Sequence, residues 1–272
     1  MKIKNAKLSQ SHSKNKDFYS NKSRSVNKML RPKSLNYLIW GKNAVEMAIL
    51  NIDRKITNIY LTETSRDWIF DKLKKVSKPW PNLIKVEKNL LSKNSMSSSH
   101  QGVMAEVEPI EWPNIEDIIY NIKEKSRIIL LDQVTNPQNI GAIIRLAKAF
   151  NADGIIVTKK HSPPENGLMA RAAAGAIEKM PLIRVTNLVR AIEFLKKERF
   201  TVVGLENSGN KFLEDIIDFP RIALVFGSEG YGLRRLTKEK ISLSIKIPIA
   251  VDTESLNVST AAAIALYVTR GD

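Results

Sequence analysis

The spacing of apolar and polar residues divides the chain into stretches of different kinds. Residues 1–34, ending in Leu30-Arg31-Pro32-Lys33-Ser34, mix Lys, Ser and Asn with few large apolar side chains. Such a segment cannot bury enough surface to offset its ordering entropy, and it is expected to be disordered when free. From Tyr37 the pattern changes. Asn43 can cap a helix running through Leu50, Ile56 to Leu61 reads as a strand, and a helix is expected near Trp68 to Val76. Strand-like stretches at Leu83 to Val86 and Gly102 to Val107 complete a small α/β unit over residues 35–107, a normal size for a domain. Residues 108–126, which contain Pro109 and Pro113, read as a linker carrying a short helix.

Over residues 127–272 a regular alternation sets in. Apolar runs at Ile128 to Leu131, Gly154 to Val157, Thr201 to Leu205 and Ile222 to Phe226 are separated by helical patterns. Continuous rather than alternating apolar strands indicate a mostly parallel sheet covered on both faces. A helix over Asn139 to Phe150 puts Ile140, Ile143, Ile144, Ala147 and Phe150 on one stripe and leaves Arg145 and Lys148 outside it. A second, Leu188 to Lys197, follows the candidate caps Thr186 and Asn187. The last, Asn257 to Thr269, is apolar nearly all round, which suits burial or an interface.

Charge sharpens this picture. The net charge is +15, yet residues 1–35 hold ten Lys or Arg against the single acid Asp17, which puts +9 in the tail and +6 in everything after it. A field of that sign attracts polyanions. The chain has no cysteine, so disulfides, thiolate metal sites and a cysteine nucleophile are excluded, and three scattered histidines argue against a zinc centre. No run of about eighteen apolar residues predicts a membrane span, and a cytoplasmic location is expected. An organelle transit peptide is the second reading of the basic tail.

In parallel sheets ligands sit beyond the carboxyl ends of the strands. Three loops stand there. The first, Asp132 to Gly141, contains Asn136-Pro137 and Asn139, and leads into the helix that carries Arg145. Asn139 can be a helix cap or a functional side chain. The second, Phe226-Gly227-Ser228-Glu229-Gly230-Tyr231-Gly232-Leu233, has three glycines that permit close backbone approach. It is neither a dinucleotide nor a P-loop fingerprint, which disfavours a dehydrogenase or kinase. Its Glu229 either pairs with Arg234 or Arg235 or is used in chemistry. The third runs from Ile247-Pro248 through Ser255-Leu256-Asn257-Val258-Ser259 into the final helix, with Ser255 or Asn257 as the candidate cap.

Taken together, Asn-(five residues)-Arg, Gly-Ser-Glu-Gly-(one residue)-Gly-Leu and Ser-Leu-Asn-Val-Ser on one alternating frame resemble the three motifs of the SpoU family of the SPOUT superfamily, over almost all of residues 36–270. The resemblance implies an α/β catalytic domain with a deep trefoil knot, preceded by a small L30e-like RNA-binding domain. It also implies S-adenosylmethionine as cofactor, a homodimer, and 2′-O-methylation of a guanosine in large-subunit ribosomal RNA. The motif match carries a catalytic role onto Asn139, Arg145, Glu229, Ser255 and Asn257, and cofactor contact onto Gly227, Ile247 and Leu256. His100-Gln101-Gly102 is similar to a signature of the ribosomal RNA subgroup, although the residues alone favour His100 as a loop histidine without a role. No metal and no membrane are expected as partners. A transfer RNA methyltransferase and a non-catalytic RNA-binding assembly protein are the competing readings.

Overall fold

The computed structural model describes residues 30, 32, 35–95, 99–250 and 252–270. The expected disordered tail lies almost wholly outside them. Leu30, the first described residue, is packed against Trp40, Tyr60, Leu90, Leu91 and Met104, and its amide donates to Asn94 Oδ1 at 2.8 Å. Leu30 itself is therefore part of the packing beneath the small sheet.

A four-stranded sheet comes first. Its strands are β1 (Tyr37–Trp40), β2 (Ile56–Leu61), β3 (Asn82–Lys85) and β4 (Val103–Val107), in the order β1-β4-β2-β3. The pairs β1·β4 and β2·β4 are antiparallel, and β2·β3 is parallel. Helices α1 (Lys42–Leu50), α2 (Arg66–Leu73) and α3 (Lys88–Ser95) accompany it. Asn43 does not cap α1. The turn is made by Gly41 at φ +92°, and the Lys42 amide is satisfied by Gln101 Oε1 at 2.7 Å. Helix α2 starts and stops earlier than its apolar pattern suggests, because Val76 packs on the core from the turn beyond the helix end. The short helix of the linker is α4 (Ile115–Tyr120).

Seven parallel strands follow: β5 (Ser126–Leu131), β6 (Gly154–Thr158), β7 (Leu182–Val185), β8 (Thr201–Leu205), β9 (Lys211–Phe212), β10 (Arg221–Phe226) and β11 (Leu243–Lys246). Their order is β7-β6-β5-β10-β8-β11-β9, all neighbours parallel. All six residues of β5 and all five of β6 are buried, as strands covered on both faces must be. Alternate side chains serve two cores. Ile129 and Leu131 face the layer of α5 (Pro137–Ala149), α6 (Gly167–Ala173) and α9 (Val258–Thr269), whereas Ile128 and Leu130 face α4 and α7 (Leu188–Lys197). The short α8 (Arg235–Lys238) follows the glycine-rich loop.

Helix α5 begins two residues before its expected start. Asn136 is its cap, accepting from the Gln138 amide at 2.9 Å, and Pro137 takes the first helical position, where a missing N–H costs nothing. Asn139 is thus released from capping. Helices α7 and α9 are capped by Asn187 and Asn257 respectively.

The small sheet packs against the large one through residues 165–178. Gly167 is so close to β1 that a Cβ there would lie 1.9 Å from Trp40 Cζ3. Beside it sits a buried ionic cluster. Arg54 donates from Nε to both Glu178 oxygens at 3.0 Å, from Nη2 to Glu178 Oε1 at 2.8 Å and to the Tyr37 hydroxyl at 3.0 Å, and from Nη1 to the Glu108 carbonyl. Its Nη1 is also 3.5 Å from Glu165 Oε2, which accepts from the Tyr37 hydroxyl at 2.9 Å. Burial works against the Arg54 charge, but Tyr37, Glu178 and Glu165 outweigh it and hold the guanidinium's pKa above its ordinary value. Burial, followed by the Glu165 charge, pushes the Tyr37 hydroxyl well up.

Candidate active site

The large sheet changes direction of winding between β5 and β10, since β6 and β7 build outward on one side while β10 returns from the far edge to lie against β5. Loops leaving two such strands part and leave a crevice. Those loops are Asp132 to Asn136, after β5, and Gly227 to Leu233, after β10.

The glycine loop is closed by its own backbone. Ser228 N donates to the Gly232 carbonyl at 3.1 Å, and Gly232 N returns a bond to the Ser228 carbonyl at 2.9 Å. Gly230 and Gly232 sit at φ +85° and +65°, and a Cβ on Gly227 would lie 2.1 Å from Gly232 C. Glycine is therefore required by conformation at two positions and by contact at the third. Just past the loop, Arg234 turns back to β5, donating its amide to Asp132 Oδ2 at 3.0 Å and Nε to Asp132 Oδ1 at 2.6 Å. Asp132 is fully buried at the strand end.

Of the two alternatives for Glu229, pairing with Arg234 or Arg235 is not the one observed: Arg234 belongs to Asp132, and Arg235 to Glu239. Glu229 meets two amides instead. Asn139 Nδ2 and Asn257 Nδ2 both donate to Glu229 Oε1, the latter at 3.2 Å, and Asn257 Nδ2 is also 3.3 Å from Asn139 Oδ1. Asn257 Oδ1 meanwhile accepts from Ser259 N at 2.9 Å and Ser259 Oγ at 2.6 Å. So Asn257 caps α9 and joins the cluster at once. Two amides, 90 and 28 positions from Glu229 in sequence, converge on one of its carboxylate oxygens, and Glu229 Oε2 keeps its lone pairs free among the described residues.

A cavity of about 620 Å³ opens beside this cluster. Gly227, Ile247, Ser255 and Leu256 line it together with Glu229 and Asn257. Its size lies within the range of small-molecule sites. Leu205, Phe226, Ile249 and Val258 give it an apolar wall, and Glu206, Glu229 and Glu254 an acidic rim. Glu206 is held by Lys238 and by Ser244 Oγ at 3.2 Å, and Asn207 Nδ2 donates to the Glu254 carbonyl at 2.7 Å. Arg145 stands apart. It is exposed on α5, six residues from Asn139 and so roughly 9 Å along the helix and about 120° around it. It makes no hydrogen bond or ion pair among the described residues.

Asp132 was the residue missed. Its signal was a carboxylate directly after an apolar strand, which must be paired where it is buried. Among the described residues, no group of three His, Cys, Asp or Glu side chains could hold a metal.

Comparison with known proteins decides the family. Residues 126–267 match the SpoU rRNA Methylase family, and residues 38–113 match the RNA 2′-O ribose methyltransferase substrate binding family. This chain belongs to the SpoU rRNA methylase family. It is 35% identical over 240 residues to the 23S rRNA (guanosine-2′-O-)-methyltransferase RlmB of Blochmanniella floridana, covering 86% of this chain and 94% of that one. It is 34% identical to the putative TrmH family tRNA/rRNA methyltransferase YacO of Bacillus subtilis, covering 85% and 94%. Its fold is shared with the SpoU methyltransferase AviRb from Streptomyces viridochromogenes in complex with the cofactor AdoMet, at TM-score 0.74 and 23% identity over 86% of this chain and 89% of that one. The first family match spans all three loops, two of which line the cavity, while the second falls on the small sheet.

Proposed function

We propose that this SpoU-family chain is an S-adenosylmethionine-dependent methyltransferase that modifies the 2′-oxygen of a guanosine in large-subunit ribosomal RNA. The observation that carries the reading is the convergence of Asn139, Glu229 and Asn257 at the mouth of a cavity with an apolar wall and an acidic rim. An adenine fits such a wall, and a sulfonium such a rim. Gly227, Ile247 and Leu256 would hold the cofactor, largely through backbone groups, and Ser255 lies in the same lining. When bound, it supplies a methyl group that is already electrophilic.

The chain's task is to position a ribose hydroxyl and ease its proton loss. Asn139 and Asn257 fix the Glu229 carboxylate through one oxygen, which leaves Oε2 to accept the hydroxyl. Arginine is protonated at any ordinary pH, so Arg145 acts through its field, lowering the hydroxyl's pKa rather than abstracting its proton. The guanosine and the ribosomal substrate are supported by the relative from Blochmanniella floridana, whose name specifies them.

The reading extends to the whole assembly. The small sheet acts as an L30e-like RNA-binding module over residues 35–107, residues 108–126 as the linker, and residues 127–272 as a catalytic domain with a deep trefoil knot. The chain works as a homodimer in the cytoplasm, and the +9 tail adds phosphate contacts. The test is methyl transfer from labelled S-adenosylmethionine to unmodified large-subunit RNA, followed by mapping of the label. Label on one guanosine 2′-oxygen is expected. Label on transfer RNA alone would overturn the substrate, and label on neither would overturn the enzyme.

A further inference from the structure

A second groove, of about 750 Å³, runs along the outer edge of β7, between the linker before α4 and the first half of α7. It is lined by Lys159, Arg184, Arg190, Trp112 and Phe194, and none of these takes part in the site described above. Strand β7 is the last of its sheet, so nothing from the sheet covers this side.

Arg184 is the informative residue. Its side chain is half-buried, donates through Nη2 to the Pro163 carbonyl at 2.6 Å, and forms no ion pair among the described residues. Burial presses its pKa below the ordinary arginine value, with Glu165 opposing. A desolvated cation with no direct ion-pair partner is costly, and an arriving anion relieves that cost. Lys159 and Arg190, both exposed and unpaired among the described residues, add charge of the same sign. Two carboxylates also line the groove. Glu165 is engaged by Arg54, Tyr37 and the Ile110 amide, and Glu116 sits exposed in the first turn of α4. Trp112 and Phe194 supply half-buried aromatic faces, and the segment carrying Trp112 is tied down by that Ile110 bond and by Arg54 on the Glu108 carbonyl.

Position completes the case. Because every strand of the sheet is parallel, Lys159 after β6 and Thr186 after β7 lie at the same sheet edge as the loops after β5 and β10. Strand β7 is two strands from β5, about 10 Å at the usual spacing. An RNA strand with its ribose in the catalytic crevice reaches that far.

We propose that the β7 groove is a second RNA site, where Arg184, Lys159 and Arg190 take backbone phosphates and Trp112 and Phe194 stack a base flanking the target nucleotide. It rests on the reading that this chain acts on RNA. The experiment measures binding of unmodified large-subunit RNA to the full chain across a salt series. The variants are Lys159→Ala with Arg190→Ala, the same pair plus Arg184→Met, and Trp112→Ala. Lys123→Ala with Lys125→Ala, before β5 at the opposite sheet edge, is the charge-matched control. At about 0.7 in log–log slope per single-strand phosphate contact, the double variant should lose roughly 1.4 and the triple roughly 2. Trp112→Ala should weaken binding about tenfold with little change of slope. S-adenosylmethionine affinity and the melting temperature of the double variant should not move. A slope no different from the control pair's overturns the groove. Wild-type methyl transfer, measured alongside, separates the two ideas. Turnover with unchanged RNA binding in the variants sinks the groove alone, and a lost slope without turnover keeps the groove and sinks the enzyme.

Discussion

Replacing Arg54 by methionine keeps much of the side-chain volume and removes a guanidinium held by Glu178, Glu165, Tyr37 and the Glu108 carbonyl. The Arg54 and Glu178 side chains are each 1% exposed, so the variant leaves carboxylates without their counter-charge in a place water does not reach. Breaking a buried pair in this way costs about 3–5 kcal/mol. At roughly 2–4 °C per kcal/mol for a chain of about this size, the melting temperature should fall by about 10 °C. The next residue supplies the control. Lys55 pairs with Glu108 at 3.5 Å but is 76% exposed, and Lys55→Ala should cost about 0–1 kcal/mol. Calorimetry adds a second readout, because the cluster joins the small sheet to the large one. The Arg54→Met trace should separate into two transitions where the parent gives one. A variant melting within about 2 °C of the parent, in one transition, would refute the claim that this cluster couples the two sheets.

Other outcomes are equally specific. Glu229→Gln keeps the shape but turns two charge-assisted bonds from Asn139 and Asn257 into neutral ones, and kcat for methyl transfer should drop about 10- to 100-fold with S-adenosylmethionine affinity nearly unchanged. Arg145→Ala, which breaks no hydrogen bond or ion pair among the described residues, should abolish methyl transfer while RNA affinity measured by filter binding stays within a few-fold; equal loss of both would make Arg145 a phosphate contact. Gly167→Ala drives a Cβ into Trp40 and the Leu38 carbonyl, at 1.9 and 2.3 Å, and should cost about 1–3 kcal/mol or more in urea unfolding. His100 Nδ1 accepts from the Gly102 amide at 3.0 Å, and burial, followed by Lys88, lowers its pKa. The stability it lends is present above about pH 6.5 and is lost as pH falls through the folded value, so His100→Asn should flatten the fall in urea midpoint between pH 7 and pH 5.

The parallel sheet was legible because β5, β6, β8 and β10 are short apolar runs, and such runs have few alternatives to a strand buried on both faces. Strand β7 was not, since its Leu-Ile-Arg-Val pattern includes the half-buried Arg184 and breaks the apolar run. Helix α6 was hidden by Gly167 at its start, a glycine demanded by Trp40 across the sheet interface rather than by anything local. The cluster of Asn139, Glu229 and Asn257 shows the same division. Motif order led to Asn139, Glu229 and Asn257, but the sequence could not say that Asn136 would relieve Asn139 of capping, or that Asp132 would claim Arg234. Partner choice among several nearby polar groups is settled by tertiary geometry, which spacing along the chain does not encode.

The glycine loop after β10 is tied at Ser228 and Gly232 by reciprocal backbone bonds and anchored beyond its end by Arg234 on Asp132. A loop so fixed has little entropy left to lose when a ligand arrives, so its share of binding energy appears as affinity instead of being absorbed by ordering. Preorganisation on this side shifts any induced fit to the opposite wall, where Asp252, Thr253, Glu254 and Ser255 are all exposed. Amide exchange should therefore slow on ligand binding across 252–257 and stay nearly constant across 227–234, making one side of the cleft a template and the other its closing half.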